Sequence, residues 1–337
     1  MKTLLVFVAL TLFISACQKS SKPVQSMEVA SVGLHSAALS EEGEYAIAGS
    51  IYHGGSLWRL SDNERLYNWN HTSEDPTTIV AADFSDDGRW GLSADPHTMV
   101  LWNTGTGQGS RYWTAPAEVL DAELNRNGTL ALLGLDDNTA VIFDIQRGGV
   151  RRSFNHQNRV RSVDFSADAS LAITGSEDYT AAVWNTRSGK LLSKIKHGDD
   201  VQLVKLSDDG RIALSVSKYD KAILWDPKTA ENIAELPLRA EHLRRGLRFT
   251  AARFSADNRY LLTGRPDRIV QLWKIDPSTE PKIKEVQRWT LPKRNAWKPT
   301  NSSVLDLAFA NNDNSRFYAV GSNGFVHELR VSGNAED

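Results

Sequence analysis

The middle of the chain carries three side-chain types that a nucleophilic hydrolase uses. His156 supplies an imidazole, Thr174 a hydroxyl and Asp178 a carboxylate. A hydroxyl nucleophile needs a base beside it and a third group that orients the base. Thr174 and Asp178 also stand at fixed distances from an aromatic residue, because they precede Trp184 by ten and six positions. A catalytic set of this kind should occur once in a chain with one active site.

The same offsets occur again further along the chain. Thr263 and Asp267 precede Trp273 by ten and six positions, and Asp137 precedes Phe143 by six. Complete and partial copies of one pattern favour a repeated structural role over catalysis. Buried polar side chains in such a role hydrogen-bond to one another in shared networks. We therefore predict no catalytic residue in this set. We also expect a serine-hydrolase activity probe to leave the protein unlabelled.

The sequence has no motif for a metal or a cofactor. It lacks a Gly-rich phosphate loop, a His-Glu zinc motif and a nucleophile elbow. Several turns are acidic, but their carboxylates lack the spacing of a calcium-binding loop. We predict no cofactor and no metal, and we expect these turn acids to be solvated: Glu41, Glu42, Asp86, Asp87, Asp208 and Asp209.

A turn phrase of the type Phe-Ser-Asp-Asp-Gly recurs seven times along the chain. Successive copies begin 45, 40, 41, 41, 48 and 55 residues apart. Each copy follows an alternating apolar and polar run, which predicts a strand that enters a hairpin turn. An aromatic dipeptide follows about 19 residues after each phrase. The dipeptides are Leu57-Trp58, Leu101-Trp102, Ile142-Phe143, Val183-Trp184, Leu224-Trp225, Leu272-Trp273 and a degenerate Glu328-Leu329.

This pattern resembles the WD repeat, whose period is about 40–45 residues and whose unit is a four-stranded blade. The resemblance implies an all-β fold, a seven-bladed β-propeller over residues 27–333. The last repeat ends at its third strand, so we expect the strand at residues 27–31 to complete the last blade and close the ring. The resemblance also implies that His156, Thr174, Asp178 and Trp184 form a structural network, as do Thr263, Asp267 and Trp273. We expect residues 334–337 to be a disordered tail.

The N-terminal residues resemble a bacterial lipoprotein signal. Leu4 to Ile14 is an 11-residue run, apolar but for one Thr; it is too short to span a bilayer and has the length of a signal-peptide core. It ends in Ile14-Ser-Ala-Cys17, which is similar to the lipobox, and Cys17 is the sole cysteine. The resemblance implies a signal peptide at 1–16, acyl chains on Cys17 and a flexible tether to residue 26. Gln18 then indicates the outer membrane, with the protein facing the periplasm.

Charge limits the choice of partner. The net charge is -2 and the sequence pI is about 6.5, which is unlike a nucleic-acid binder. Two long inserts and one turn nevertheless place cations and a Trp, types enriched at binding hot spots, on one face over the last two blades. We call this set the basic sector: Arg239, Arg244, Arg245, Arg248, Arg265, Arg268, Lys293, Arg294, Trp297 and Lys298. It predicts docking of an acidic protein surface or a polyanionic glycan, with an ordinary solvated loop as the open alternative.

Two functions follow from the sequence. The favoured one is a non-catalytic, monomeric protein-interaction scaffold at the bacterial cell envelope, which binds envelope proteins and is anchored in the lipid bilayer. The alternative is an envelope enzyme, a glycan lyase or hydrolase, that uses the propeller channel. Such an enzyme needs paired carboxylates or a His–Tyr set converging on the channel, and the sequence predicts none.

Overall fold

The fold is described by a computed structural model, which covers residues 20–72, 75–237, 249–276, 278–279, 282–294 and 302–332. Within these residues, 28 strands form seven four-stranded antiparallel sheets, arranged as the blades of a propeller. A single-turn 3-10 helix covers Ala310–Asn312. No helix in that part of the chain is long and apolar enough to cross a membrane. The predicted signal peptide, Cys17 and the tail at 334–337 lie outside the described residues.

The first four blades follow the chain in order. Blade one consists of β2 (Leu34–Leu39), β3 (Tyr45–Ser50), β4 (Gly54–Arg59) and β5 (Glu64–Asn68). Blade two consists of β6 (Ala81–Phe84), β7 (Trp90–Ala94), β8 (Thr98–Asn103) and β9 (Gly109–Thr114). Blade three consists of β10 (Val119–Leu124), β11 (Leu130–Leu135), β12 (Thr139–Asp144) and β13 (Val150–Asn155). Blade four consists of β14 (Val160–Phe165), β15 (Leu171–Ser176), β16 (Thr180–Asn185) and β17 (Leu191–Lys196).

The last three blades complete the ring. Blade five consists of β18 (Val201–Leu206), β19 (Ala213–Ser217), β20 (Ala222–Trp225) and β21 (Asn232–Leu236). Blade six consists of β22 (Ala251–Phe254), β23 (Tyr260–Gly264), β24 (Ile269–Ile275) and β25 (Ile283–Thr290). Blade seven consists of β26 (Val304–Phe309), β27 (Arg316–Gly321), β28 (Phe325–Arg330) and β1 (Gln25–Glu28). The first strands of neighbouring blades face one another around the central channel, and β26 meets β2.

The N-terminal strand closes the ring, as the sequence predicted. Met27 pairs with Val326 in the antiparallel β1–β28 ladder. The strand begins two residues earlier than expected, and it ends at Glu28 because the N–H groups of Val29 and Ala30 turn to the carbonyl of Gly324. A side chain at Gly324 has no room, since its Cβ would lie 2.2 Å from the carbonyl oxygen of Ala30.

Residues 20–26 differ from the flexible tether that the sequence predicted. The backbone N–H of Ser21 donates to the carbonyl of Arg288 in β25 (2.8 Å). The N–H of Thr290 in turn donates to the carbonyl of Ser21 (3.0 Å). The N–H of Val24 then donates to Glu328 in β28 (2.8 Å). This segment, residues 20–24, is called the strap below. It crosses from the outer edge of blade six to that of blade seven, because both edges offer unpaired backbone groups.

Large aromatic side chains fill the spaces between blades. Trp69 stacks on Trp102 with ring centroids 5.3 Å apart, and Phe154 stacks on Trp184 at 5.0 Å. The pairing of the third and fourth strands shifts register at the aromatic dipeptide in blades one to six. Such bulges change the direction of a side chain. Here they recur at the aromatic residue, whose side chain packs against the neighbouring blade.

Candidate functional site

Four side chains of blade four form a continuous chain of hydrogen bonds. The Trp184 indole N–H donates to the Thr174 hydroxyl (2.9 Å), and His156 Nε2 lies 2.7 Å from the same oxygen. His156 Nδ1 lies 3.0 Å from the Asp178 carboxylate. Burial lowers the pKa of His156 despite that carboxylate, so the ring is neutral near pH 7. Thr174 is fully buried and the His156 side chain is 2% exposed, so no substrate reaches them.

Blade six keeps only half of this arrangement in the described residues. The Trp273 indole N–H donates to Thr263 (2.8 Å), as in blade four. The Asp267 carboxylate instead binds Arg265 in two hydrogen bonds of 3.1 and 2.7 Å. Asp267 therefore fixes a cation of its own hairpin turn, and among the described residues no imidazole contacts it.

Two further copies were missed by the sequence analysis. In blade two, Ser93 links Trp102 (2.8 Å) to His71 (2.9 Å). In blade five, Ser215 links Trp225 (3.1 Å) to His197 (2.8 Å). The signal for blade five was present, because His197 precedes Trp225 by 28 residues, as His156 precedes Trp184. In blade two the hydroxyl stands nine residues before the Trp, so a search at fixed offsets fails.

Replacing Thr174 with valine should destabilise the protein without changing its surface. The shape is kept, but the indole N–H of Trp184 and the Nε2 of His156 lose their partner. A buried polar group without a partner costs about 1–3 kcal/mol. Thermal or urea unfolding measures the loss. The control is the exposed Thr78→Val, and a stability loss no larger than that of the control would contradict the structural role.

The described members of the basic sector are mostly engaged within the protein. Arg265 is buried and holds Asp267, and Arg268 donates to the carbonyl of Leu291 (2.7 Å). Lys293 is exposed. The other members lie outside the described residues: Arg239, Arg244, Arg245, Arg248, Trp297 and Lys298.

Arg294, the remaining member, ties the last insert to the closure of the ring. Its Nη1 donates to the carbonyls of Ala30 and Asn323, each at 2.8 Å. The same guanidinium pairs with Glu28 in β1 and lies over the Phe325 ring, 5.1 Å from the centroid. Arg294 is therefore a structural residue in a sector predicted to bind a partner.

Charged side chains that the sequence analysis did not predict converge on the channel. In five blades the first strand carries a charged residue directly before the turn phrase. The sequence signal was a charged residue at the same repeat position in five first strands. These residues, with two further aspartates of the first strands, form what we call the channel cluster: Asp83, Asp121, Glu123, Asp164, Lys205, Arg253 and Asp306.

Aspartates of the channel cluster join neighbouring blades. Asp83 accepts the N–H of Leu124 (2.6 Å), and Asp164 accepts that of Leu206 (2.6 Å). Asp121 accepts the N–H of Val163 (2.9 Å), and Asp306 that of Leu39 (2.8 Å). In each case a carboxylate on one first strand binds the backbone of the next. The aspartates therefore act as cross-links around the ring.

Lys205 is the central cation of the channel cluster. Its Nζ pairs with Glu123 and lies 3.3 Å from Asp164. Burial works against its charge, yet Asp164, Glu123 and Asp121 hold the pKa of Lys205 well above its usual value. Burial likewise raises the pKa of Asp164 to about 7 against the pull of Lys205. Burial and Glu123 raise that of Asp121 to about 6. The cluster thus holds protons near neutral pH.

The channel cluster divides the channel into two cavities. One, of about 60 Å³, opens among the turn phrases and includes Asp86, Arg126 and Asp208. Asp86 is exposed, as expected for a turn acid, but partial enclosure and the nearby Asp208 raise its pKa to about 6. The other cavity, of about 190 Å³, lies on the opposite side. Both are lined by Asp83, Glu123, Lys205 and Arg253, which therefore form the constriction.

Stability should fall as the pH rises from 6.5 to 8.5. Folded Asp164 keeps its proton up to a pKa of about 7, whereas an unfolded Asp has lost it well below that. The folded state therefore binds more protons in this window, and unfolding becomes easier as they leave. The buried histidines make the protein more stable as the pH rises, because burial lowers their pKa values. They therefore oppose the fall in stability mainly below about pH 6.5.

Thermal unfolding at pH 6.5 and 8.5 measures this effect, which should be on the order of 1 kcal/mol. Asp164→Asn removes the titrating group and should flatten the dependence. An equal or steeper fall in the variant would contradict the assignment to Asp164.

No group of three or more His, Cys, Asp or Glu side chains with metal-binding geometry occurs among the residues the structure describes. The channel cluster agrees with this, because its carboxylates are already bound to Lys205 and to backbone N–H groups.

Comparison with known proteins identifies the repeat. Residues 148–185 and 241–274 match the model of the family described as WD domain, G-beta repeat. The first match begins just before β13 and ends with β16. The repeat in the sequence is therefore offset from the blade by one strand. This offset is why the last blade needs a strand from the N-terminus.

A chain from the crystal structure of the mitotic checkpoint complex has the same fold. It superposes with a TM-score of 0.74 over 99% of this chain and 98% of that chain, at 13% sequence identity. No curated protein matches the sequence. Because 1875 chains of solved structures match, the likeness identifies a fold and selects no partner. The chain is a seven-bladed β-propeller in which two segments match the WD repeat, and propellers of WD repeats are typically scaffolds for protein interactions.

Proposed function

We propose that this propeller is a non-catalytic scaffold for envelope proteins, held on the outer membrane by acyl chains on Cys17. The observation that carries the proposal is the lipobox-like Ile14-Ser-Ala-Cys17, in which the sole cysteine stands at the expected cleavage point. Several acyl chains give a stable anchor, at about 0.8 kcal/mol per buried CH₂. The scaffold part of the proposal rests on the fold.

The strap supports an anchor that would lie close to the folded body. Cys17 precedes Ser20 by three residues, and an extended chain of that length reaches about 10 Å. The Ser20 hydroxyl lies 2.6 Å from that of Thr290 in β25, so the strap is fixed from its first described residue. The outer edge of blades six and seven would then face the bilayer, and blades three and four would face away.

Replacing Cys17 with alanine should release the protein from the membrane fraction. The variant has no thiol to acylate, and the propeller does not depend on residue 17 in the described contacts. Cell fractionation followed by intact-mass measurement gives the readout. A Gln18→Ala variant is the control and should stay in the membrane. A Cys17→Ala protein that sediments with membranes like the control would overturn the anchor.

The basic sector remains a proposed docking surface for an acidic protein or a polyanionic glycan of the envelope. Because Arg265, Arg268 and Arg294 hold the fold together, reversing them would test stability and not docking. The informative variant is Arg244→Glu, Arg245→Glu and Lys293→Glu. It should lose a partner captured by cross-linking, and unchanged capture would contradict docking at the sector.

The channel cluster supports a second candidate, an envelope glycan lyase or hydrolase. Raised pKa values in a cleft are typical of catalytic acids, and those of Asp121 and Asp164 are about 6 and 7. Against it, both carboxylates bind the neighbouring blade. An assay of envelope glycans with wild type and Asp121→Asn decides the matter. Product formation that the variant loses would favour the enzyme over the scaffold.

A further inference from the structure

The outer rim of blades three and four carries unbalanced positive charge. Residues 145–162 and 179–198 contain no Asp or Glu. These segments include the outermost strands β13 and β17 and the turns that lead into them. Seven of their cations belong to the rim: Arg147, Arg151, Arg152, Arg187, Lys190, Lys194 and Lys196. Two more, Arg159 and Arg161, lie just before and in the inner strand β14.

Five of these cations form what we call the basic rim: Arg147, Arg187, Lys190, Lys194 and Lys196. All five are exposed. Within the described residues, no hydrogen bond or ion pair engages their side-chain nitrogens. Some surface cations of other blades are paired instead, such as Arg59 with Asp62 and Glu64, and Lys221 with Glu235. The basic rim is therefore available to an external anion.

An apolar-floored groove lies beside the basic rim. It has a volume of about 470 Å³ and is lined by Leu130, Ile142, Arg151, Arg152, Thr186 and Arg187. Two of its arginines are held in place. Arg151 pairs with Asp144, and Arg152 donates to the carbonyl of Arg187 (2.7 Å). The groove thus presents positioned guanidinium groups above an aliphatic floor.

Exposed aliphatic side chains also occur on the outermost strands of the same two blades. Val150 in β13 is 46% exposed, and Leu191 and Leu192 in β17 are 38% and 39% exposed. Both strands are the last of their sheets, so one edge of each has unpaired backbone groups. Such an edge can accept an added strand, with main-chain hydrogen bonds for affinity and side-chain pockets for specificity.

We propose that the basic rim and its groove bind an extended acidic segment of a partner protein, whose apolar side chains contact the Leu130–Ile142 floor. The proposal deepens the scaffold function and rests on it, but it does not depend on the anchor. An aliphatic floor and exposed Leu and Val suit apolar side chains, whereas a polyanionic glycan has none to offer.

A fluorescence-anisotropy titration tests the proposal on the full mature chain. The probe is a fluorescein-labelled decapeptide that alternates Glu with Leu and Val. The test variant carries Arg147→Glu, Arg187→Glu and Lys194→Glu. The control carries the same charge change at exposed cations elsewhere, Arg65→Glu, Lys228→Glu and Lys284→Glu. We expect the test variant to bind at least about tenfold more weakly than wild type, and the control less than about twofold.

Competition distinguishes the ligand classes. An all-Glu decapeptide, heparin and phosphatidylglycerol vesicles should each displace the probe less effectively than the unlabelled mixed peptide. Stronger displacement by heparin or by the vesicles would overturn the proposal in favour of a glycan or a lipid surface. Equal weakening in both variants, or no binding by wild type, would also overturn it. If the peptide site fails in one of these ways but cross-linking still finds protein partners, the scaffold function is supported. Failure of the peptide site is therefore distinguishable from failure of the scaffold function.

Discussion

Replacing Lys205 with methionine should lower the free energy of unfolding at pH 8 by about 3–5 kcal/mol, since removing one partner of a buried ion pair strands the other. The side-chain volume is nearly kept, so the change is electrostatic. Glu123 and Asp164 would face each other in the channel without their cation. Because the Asp164 carboxyl, whose pKa is about 7, can take up a proton, the loss should be smaller at pH 5.5 than at pH 8.

Urea unfolding at both pH values measures this loss. The control is Lys194→Met, which removes an exposed lysine and should change stability by less than about 0.5 kcal/mol. Adding Glu123→Gln to Lys205→Met should restore part of the stability, because it removes one of the stranded charges. A Lys205→Met protein as stable as the control at pH 8 would show that the channel cluster is not a structural cross-link.

Removing the closing strand should have an effect of similar size. A chain that starts at Ala30 should unfold about 10 °C below a chain that starts at Ser20. It loses the β1–β28 ladder, the burial of Met27 and Val29, and the Arg294–Glu28 pair. Burial of each apolar side chain contributes about 1.5–3 kcal/mol. We therefore expect a total near 5 kcal/mol, at about 2 °C per kcal/mol for a chain of this size.

A chain that starts at Gln25 separates the strap from the closure. It keeps β1 but lacks residues 20–24, so its midpoint should lie close to that of the Ser20 chain. The Ala30 chain also exposes the edge of β28, and open edges pair with other chains. Light scattering should therefore detect self-association of the Ala30 chain alone. Equal midpoints for all three chains would contradict closure by β1.

The repeat made the architecture predictable because each blade restates the same local chemistry. Turn phrases and alternating strands agree seven times and aromatic dipeptides six times, so weak signals add up. The network around Trp184 was predictable for the same reason, since its offsets recur at Trp273. The copy at Ser93 was not, because a hairpin one residue shorter moves the hydroxyl by one position.

Contacts between distant parts of the chain were not predictable. Residues 20–24 read as a tether by composition, and only the open edge of β25 explains why Ser21 is bound there. Arg294 looked like a surface cation, but the closing strand brings Glu28 and Ala30 to it. The channel cluster also arises from closure, because charges 41 residues apart, such as Glu123 and Asp164, meet only when the blades form a ring.

Cross-linking in intact cells, followed by mass spectrometry, tests the central claim most directly. If the propeller is a scaffold at the envelope, it should give reproducible cross-links to a small set of envelope proteins. They should form at lysines of the basic rim, such as Lys190, Lys194 and Lys196, or at Lys293 of the basic sector. Cys17→Ala should reduce these cross-links by removing the protein from the membrane. Cross-links to cytoplasmic proteins alone, or none above those of an unrelated envelope lipoprotein, would contradict a scaffold at the envelope.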